Sequence, residues 1–359
     1  MRILHVLPRM PIGGGGTFLQ NTQRNINNSF VFDYLIIEDV NDSYFSYNVE
    51  KLGAKVYLMN SKLKLSSSFN IYCKLKKFFK TNASNYDIIH LHSANIGFLV
   101  LPLAKKYGIK VRIIHAHATN YSDVFLRALR NYIIEIPIFN YSTNLIACSK
   151  KAGKFLFKNR QFDTVYNGID PNKFKYVNNS HDKIILSNVG NFLPPKNHKF
   201  LIDMMEKLDI NGDIYELWLI GDGELKENIE NLVSQKRLKS VKFMGRIKDI
   251  EKYYQYIDIF LLPSFNEGFP VALMEAQCCG IPVVVSENIT REIDFNNDCH
   301  FLGIGKEDID KWIKVIKNIN LNTKFEKSEK FKTSEFTIKN TTDKLEKLYF
   351  QYLKESVEK

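Results

Sequence analysis

Short apolar runs recur along the chain, each closed by glycine, proline or small polar residues, and between them lie stretches whose apolar residues fall three and four apart. The first pattern predicts buried strands, the second amphipathic helices. In the first half, strands are predicted at Arg2–Leu7, Phe32–Ile37, Ala54–Leu58, Ile88–Leu91, Val111–His115 and Leu145–Cys148, with helices over Phe18–Asn25, Ile96–Tyr107 and Val124–Asn140. The turn residues of Val165–Pro171 and the polar stretch Tyr176–Asp182 interrupt this rhythm, as a domain boundary would. Alternation then resumes, with strands at Lys183–Val189, Tyr215–Ile220, Val241–Met244, Ile257–Leu262 and Pro282–Ser286. Helices are predicted over Lys199–Lys207, Leu225–Gln235 and Thr337–Val357. The whole predicts an α/β chain with two doubly wound parallel sheets facing across a cleft, residues 1–170 and 171–336, and a C-terminal helix, 337–359, returning to the first.

An apolar fraction of 45% and a charged fraction of 25% are those of a soluble globular protein. No apolar run approaches the ~18 to 20 residues that would span a bilayer. Met1–Leu7 is interrupted by His5 and closed by Pro8-Arg9, unlike a secretory signal. Five cysteines without a Cys-x-x-Cys spacing suit a reducing cytoplasm and no structural metal. Charge changes the picture more, because residues 1–170 hold 22 Lys+Arg against 10 Asp+Glu and the remainder 28 against 29. A basic half beside a neutral one suits an anionic partner, either a membrane surface or a phosphorylated substrate; nucleic acid has no supporting motif. Lys74, Lys76, Lys77 and Lys80 share a stretch with Leu75, Phe78 and Phe79 at helical spacing. Such a helix either lies on anionic lipid or packs on the core with its lysines in water.

The candidate chemistry sits at strand ends, where doubly wound sheets hold ligands. Glu267 falls in a loop closed by Gly268-Phe269-Pro270, and Glu275 on the helix that Val271 opens; together they could hold distant parts of one phosphate-bearing ligand. Each could equally be a solvated glutamate. Gly190 and Lys196, between a strand and the next helix, would put a cation on a diphosphate. The run Gly13 to Gly16 reads as a glycine-rich loop before a helix, without the Gly-x-Gly-x-x-Gly or P-loop spacing. His90-Leu91-His92 and His115-Ala116-His117 lie at strand ends. With no third ligand evident, no metal is assigned; His117 is expected against a bound hydroxyl and the other three as structural histidines.

Gly13 to Gly16, His117, Asn167-Gly168-Ile169-Asp170, Gly190 to Asn197, Gly221-Asp222-Gly223, Gly245-Arg246, Glu267 to Glu275 and Gly280-Ile281-Pro282-Val283-Val284 together resemble the retaining, nucleotide-sugar-dependent glycosyltransferases of family 4. These have two Rossmann-like domains, the GT-B fold, and the resemblance covers nearly the whole chain. Within the family the chain looks like enzymes that extend capsular, exopolysaccharide or O-antigen repeat units on a lipid carrier. The resemblance implies that Glu267 holds donor-sugar hydroxyls, Glu275 the ribose and Lys196 the diphosphate, with His117 near the reacting carbon. Gly14, Gly15, Gly16, Gly190, Asn191, Gly221, Gly245, Arg246, Gly268, Phe269, Pro270 and Val271 complete the implied donor-binding set. Members commonly carry arginine where Asn191 stands.

The implied donor is a UDP-hexose or UDP-N-acetylhexosamine, used without cofactor or metal. The implied acceptor is a polyprenyl-diphosphate-linked saccharide bound by the first domain, at the inner face of the plasma membrane. Two other readings fit the same architecture: a non-catalytic partner that binds glycans or another transferase, and a nucleotide-sugar epimerase.

Overall fold

The computed structural model describes residues 1–11, 14–38, 43–121, 125–179, 181–208 and 214–358. Gly13 of the glycine run and Val124 of a predicted helix lie outside them. The chain divides into two compact units, Met1–Gly168 with Ile338–Lys359, and Ile169–Thr337.

Unit 1 holds a parallel sheet of seven strands: β1 (Arg2–Arg9), β2 (Val31–Glu38), β3 (Val56–Leu58), β4 (Ile88–Leu91), β5 (Val111–Ala116), β6 (Asn144–Ala147) and β7 (Asp163–Thr164). Their order is β3-β2-β1-β4-β5-β6-β7. Unit 2 holds six more, β8 (Ile184–Val189), β9 (Tyr215–Ile220), β10 (Val241–Gly245), β11 (Ile259–Leu262), β12 (Val283–Ser286) and β13 (His300–Leu302), in the order β10-β9-β8-β11-β12-β13. Both orders reverse once, between β1 and β4 and between β8 and β11. At each reversal the connections leave in opposite directions and open a crevice at the carboxyl ends. The central strands are rich in apolar residues on both faces because helices cover both sides of each sheet, with only a few buried polar positions such as His5, His90 and Ser187.

The C-terminal helix, Ile338–Glu358, belongs to unit 1, where Leu345, Leu348, Tyr349 and Tyr352 share a core with Phe18, Phe30 and Phe32. Unit 2 closes around Leu186, Leu217, Ile259 and Val284, with Met204, Met205 and Trp312 packed against them. The indole of Trp312 donates to the Gly303 carbonyl at 2.8 Å, so its one polar atom is satisfied in the core.

Several expectations need correction. Gly14, Gly15 and Gly16 are not a loop but the first turn of the helix Gly14–Asn25. The predicted 124–140 helix is α-helical over Phe125–Glu135 and tightens to a 3-10 turn over Ile136–Asn140, where Pro137 lacks the N–H that an α-helix would use. β7 is too short and polar, and β13 too short, to announce itself by alternation. The lysine-rich stretch lies on the helix Ser68–Asn82, with Ile71, Leu75, Phe78 and Phe79 buried. Lys74 is not part of a solvent face: its ammonium donates to the Met59 carbonyl at 2.7 Å and to Ser61 Oγ at 3.0 Å.

Candidate functional site

In unit 2 the predicted residues gather at the crevice between β8 and β11. The chain after β8 makes a 3-10 turn, Pro194–Lys196, and reverses at Asn197, whose φ of 54° is left-handed. Two bonds tie this turn to the loop after β11: Phe265 N–H donates to the Pro195 carbonyl at 2.8 Å, and the Asn197 amide to the Pro263 carbonyl at 3.2 Å. The two loops are thereby held together, and Lys196 Nζ reaches Glu267 Oε1 at 2.6 Å. Ser264 Oγ donates to the same oxygen at 2.9 Å. An ammonium has three donors and Glu267 takes one, so cation and carboxylate stand ready as neighbours at this edge.

Beside them, the ends of β8, β9 and β10 carry Gly190, Gly221 and Gly245. Gly190 N–H donates to the Ile220 carbonyl and Gly221 N–H to the Gly245 carbonyl, both at 2.9 Å. Gly221 has φ of +144°, and a Cβ there would sit 2.0 Å from the Gly190 carbonyl oxygen, so this strand end admits no side chain. Asn191 follows partly buried, its carbonyl accepting from Leu193 N–H at 2.8 Å. Arg246, past β10, has a side chain 59% exposed with Nε 3.9 Å from Asp222, which leaves a cation on this edge where Asn191 supplies none.

Gly268 and Phe269 lead through Pro270 into the helix Val271–Cys278. Glu275 faces inward there at 7% exposure, and its Oε2 accepts from Tyr254 OH at 2.9 Å. Burial raises its pKa to about 7, outweighing the Tyr254 hydroxyl, which lowers it. Gly280 ends the helix at φ +74°.

In unit 1 the two His-x-His pairs are not separate. Residues two apart on a strand share a face, and β1, β4 and β5 are neighbours, so His5, His90, His92, His115 and His117 form one cluster. His5 Nδ1 lies 2.8 Å from His92 Nε2, and His92 Nδ1 lies 2.9 Å from His117 Nε2. Alongside, His90 bonds to Tyr349 OH at 2.7 Å and to His115 at 3.1 Å. Burial lowers the pKa of all five, that of His117 to about 4, so the rings are neutral.

Neutral rings in a chain must all point the same way. His5 Nε2 is buried without a partner, and an orphaned acceptor costs less than an orphaned N–H. The favoured polarity therefore has His5 donating to His92 and His92 to His117, which leaves the His117 proton on Nδ1. The sets His5, His90, His92 and His92, His115, His117 each bring three ring nitrogens within 4.8 Å, so a third ligand that spacing along the chain did not reveal is present in space. Hydrogen bonds among the rings and to Tyr349 take up most of the nitrogens of these histidines, while His5 Nε2 and His115 Nε2 have no partner.

His117 also lines a cavity of about 150 Å³ together with Tyr121, Asn131, Glu135 and Phe155. A larger cavity of about 760 Å³ lies at the amino ends of β6 and β7, lined by Asn144 and Asp163, and holds none of the predicted residues. The sequence alone does not single out Ser264, Tyr254, Asn131 or Glu135. Ser264 had a usable signal in its place three residues before Glu267 at a strand end; Asn131 and Glu135 had only their i, i+4 spacing.

Two doubly wound units, with an ion pair and glycine-bare strand ends at one crevice and a histidine cluster at the other, define a GT-B glycosyltransferase. The chain belongs to that family: the "Glycosyltransferase Family 4" model matches residues 28–173 and "Glycosyl transferases group 1" residues 169–334. It is 31% identical to EpsF of Bacillus subtilis (strain 168), which is named as a glycosyltransferase, across 82% of this chain and 81% of that one. CapH of Staphylococcus aureus, a capsular polysaccharide biosynthesis glycosyltransferase, is 26% identical across 97% and 98%. An Escherichia coli UDP-Gal:alpha-D-GlcNAc-diphosphoundecaprenol alpha-1,3-galactosyltransferase is 25% identical across 92% and 90%. Among solved structures, Anabaena Alr3699/HepE in complex with UDP superposes with a TM-score of 0.78 at 16% identity, covering 98% of this chain and all of that one, a likeness of fold.

Proposed function

We propose that this protein is a retaining hexosyltransferase that moves a sugar from a UDP-sugar to a polyprenyl-diphosphate-linked saccharide in capsule, exopolysaccharide or O-antigen synthesis. The observation that carries the reading is the Lys196–Glu267 pair at the unit 2 crevice, 2.6 Å apart beside three glycine strand ends. A leaving diphosphate gains negative charge as the glycosidic bond breaks, and a cation already in place stabilises that charge without reorganising. Lys196 fills this role, and Arg246 offers the second cation that Asn191 does not. Glu267 accepts from donor-sugar hydroxyls, and Glu275 from the ribose. His117, neutral and protonated on Nδ1, donates to a sugar hydroxyl near the reacting carbon. In a front-face displacement the departing phosphate takes the acceptor proton, so no side chain is needed beneath the sugar. UDP is favoured because the E. coli relative is named for a UDP-sugar and HepE was solved with UDP.

The lipid-linked acceptor follows the same relative's name, and it suits the basic unit 1. There Lys76, Lys77 and Lys80 face solvent on one helix with Phe69, which is 79% exposed. No helix among the described residues is long and apolar enough to cross a membrane, so contact with the bilayer would be peripheral. A thermal-shift panel of nucleotide sugars tests the core of the reading. A true donor stabilises the fold by mass action, ~2.7 kcal/mol at a hundredfold excess over Kd. If no nucleotide sugar stabilises the wild type, the transferase reading fails.

A further inference from the structure

His117 lines the 150 Å³ cavity, and what its ring offers a ligand is decided behind it. Its Nε2 lies 2.9 Å from His92 Nδ1, and His92 Nε2 lies 2.8 Å from His5 Nδ1. Both nitrogens of the buried His92 ring are therefore engaged. A neutral imidazole carries one N–H, so His92 can donate to His117 only if it accepts from His5, and it can accept from His117 only if it donates to His5. The tautomers of the three rings change together or not at all.

The inner end of the chain breaks the tie. His5 is 1% exposed and its Nε2 has no partner: as a donor it would be a buried orphan N–H, whereas as an acceptor it leaves only a lone pair unused. The other neighbours of His117 do not reverse this choice. His115 faces it with ring centroids 4.0 Å apart, but His115 Nδ1 bonds to His90 and its Nε2 has no partner. Glu135 lines the same cavity, buried on the helix Phe125–Glu135 while Leu129, Tyr132 and Ile133 stand about half exposed. Its Oε2 has no hydrogen-bond partner, so that oxygen does not hold the His117 ring either.

We propose that His92 is a positioning residue: its Nδ1–H locks His117 in the Nδ1–H tautomer, so that His117 meets a ligand as a hydrogen-bond donor and never as an acceptor. Free histidine in water prefers its proton on Nε2, and the buried chain imposes the opposite. His92 touches no ligand itself and acts through the ring of His117. The consequence is selective, because a ligand group at this nitrogen must accept: a hydroxyl or carbonyl oxygen fits and an ammonium does not. What that proton contributes to sugar transfer rests on the transferase reading; the tautomer does not.

The test is long-range proton–nitrogen NMR of the full chain, isotopically labelled at histidine, with the His117 signals assigned from their loss in His117→Ala. In the wild type at neutral pH, Nδ1 of His117 should be the protonated nitrogen. His92→Leu should move the proton to Nε2, whereas His5→Phe should leave it on Nδ1, because His92 Nε2 then becomes the unused acceptor. Each variant removes one buried ring, so a general loosening of the core would affect both alike. His92→Asn keeps an amide N–H near the place of Nδ1 and should hold the wild-type tautomer. In transfer assays kcat/KM for the donor should fall roughly tenfold in His92→Leu, and His92→Asn should recover most of that loss. A wild-type His117 protonated on Nε2, or one still protonated on Nδ1 in His92→Leu, overturns the inference. If His92→Leu does not fold, the wild type and His5→Phe decide, since a proton on Nε2 of His117 in either overturns it. If the tautomers behave as stated while no form transfers sugar, the inference stands and the transferase reading fails.

Discussion

The two units share one topology and furnish their crevices with opposite chemistry. Unit 2 presents an ion pair, strand ends stripped to glycine and the exposed Arg246, a surface suited to a charged ligand that approaches backbone closely. Unit 1 presents five neutral imidazoles in a hydrogen-bonded stack and an unsatisfied carboxyl, with its cations further out on the surface. The same strand order thus determines where a ligand sits and leaves its charge to the strand-end residues. The excess positive charge of the first half, taken alone, suggests that unit 1 holds the phosphates. The local groups point the other way, with the fixed cations at the unit 2 crevice.

This contrast is broken most directly at Lys196. Lys196→Ala should lower kcat for sugar transfer by about a hundredfold or more, as when one fixed stabiliser of a developing anion is removed. Glu267→Ala should do comparable harm, chiefly in kcat/KM for the donor. Undiminished transfer in both would remove unit 2's claim to the diphosphate. Next in size is a pair of glycine substitutions. A Cβ at Gly280 would lie 1.8 Å from the Lys324 carbonyl oxygen at φ +74°, whereas one at Gly15 meets nothing within 4 Å on a helix. Gly280→Ala should cost on the order of 3 kcal/mol in urea unfolding. Gly15→Ala should be neutral or stabilising by up to ~1 kcal/mol. A large loss at Gly15 would show that the unit 1 glycines are needed as an open loop after all.

How much of this was legible depends on the length scale of each signal. Strand runs such as Ile88–Leu91 and Tyr215–Ile220 stand in the fold with the bounds they have in the sequence, because a strand buried on both faces leaves a mostly apolar run, broken here only by His90 and Glu216. Glu267 and Lys196 were legible as candidates, but their contact was not, since it depends on Phe265 reaching Pro195 across the crevice. The histidine cluster was half legible: each His-x-His pair marks one strand face, and only the order β1-β4-β5 brings them together with His5. Glu135 was hidden because pattern reading assigns the apolar stripe to the interior. The glycine run reads as a loop in the sequence because Gly14 to Gly16 lower helix propensity, yet they do not forbid the first turn of the helix Gly14–Asn25.

The histidine cluster of unit 1 and Glu275 of unit 2 titrate with opposite sign, although burial also raises Glu135 in unit 1 to about 7 and lowers His198 in unit 2 to about 4. The unit 1 histidines have pKa values below the ordinary 6.5, so the unfolded chain binds protons there that the folded chain refuses. Their contribution to stability is therefore full above pH 6.5 and is lost as pH falls towards about 4, the value for His117. Glu275 in unit 2 is raised to about 7, so its folded state favours the protonated form. That contribution is full below about pH 4.5 and is lost as pH rises to 7. Glu275→Gln should accordingly stabilise the ligand-free protein at pH 8 by roughly 1–3 kcal/mol and leave it little changed at pH 4.5. It should also raise the KM for the donor. His5→Phe should flatten the acid limb and leave the alkaline one alone. Two limbs that respond to the same substitution would mean that the histidine cluster and Glu275 do not titrate independently.

The smallest effect concerns the surface charge of unit 1, where the local chemistry of the crevice and the net charge of the half disagree. If the excess cations serve a membrane rather than a phosphate in the crevice, the solvent-facing members of the Ser68–Asn82 helix are the ones to change. Lys74, bonded to Met59 and Ser61, should be left in place. Replacing Lys76, Lys77 and Lys80 by glutamine should weaken co-sedimentation with vesicles containing anionic lipid by ~1 kcal/mol per lysine and do nothing with neutral vesicles. Phe69→Ala should add a smaller loss that salt does not screen, because apolar insertion is not a charge effect. Transfer to a detergent-dispersed acceptor should be unchanged in all of these, since none touches the crevice residues. Unchanged sedimentation would detach the basic surface from the bilayer, and reduced transfer in detergent would return those lysines to the substrate.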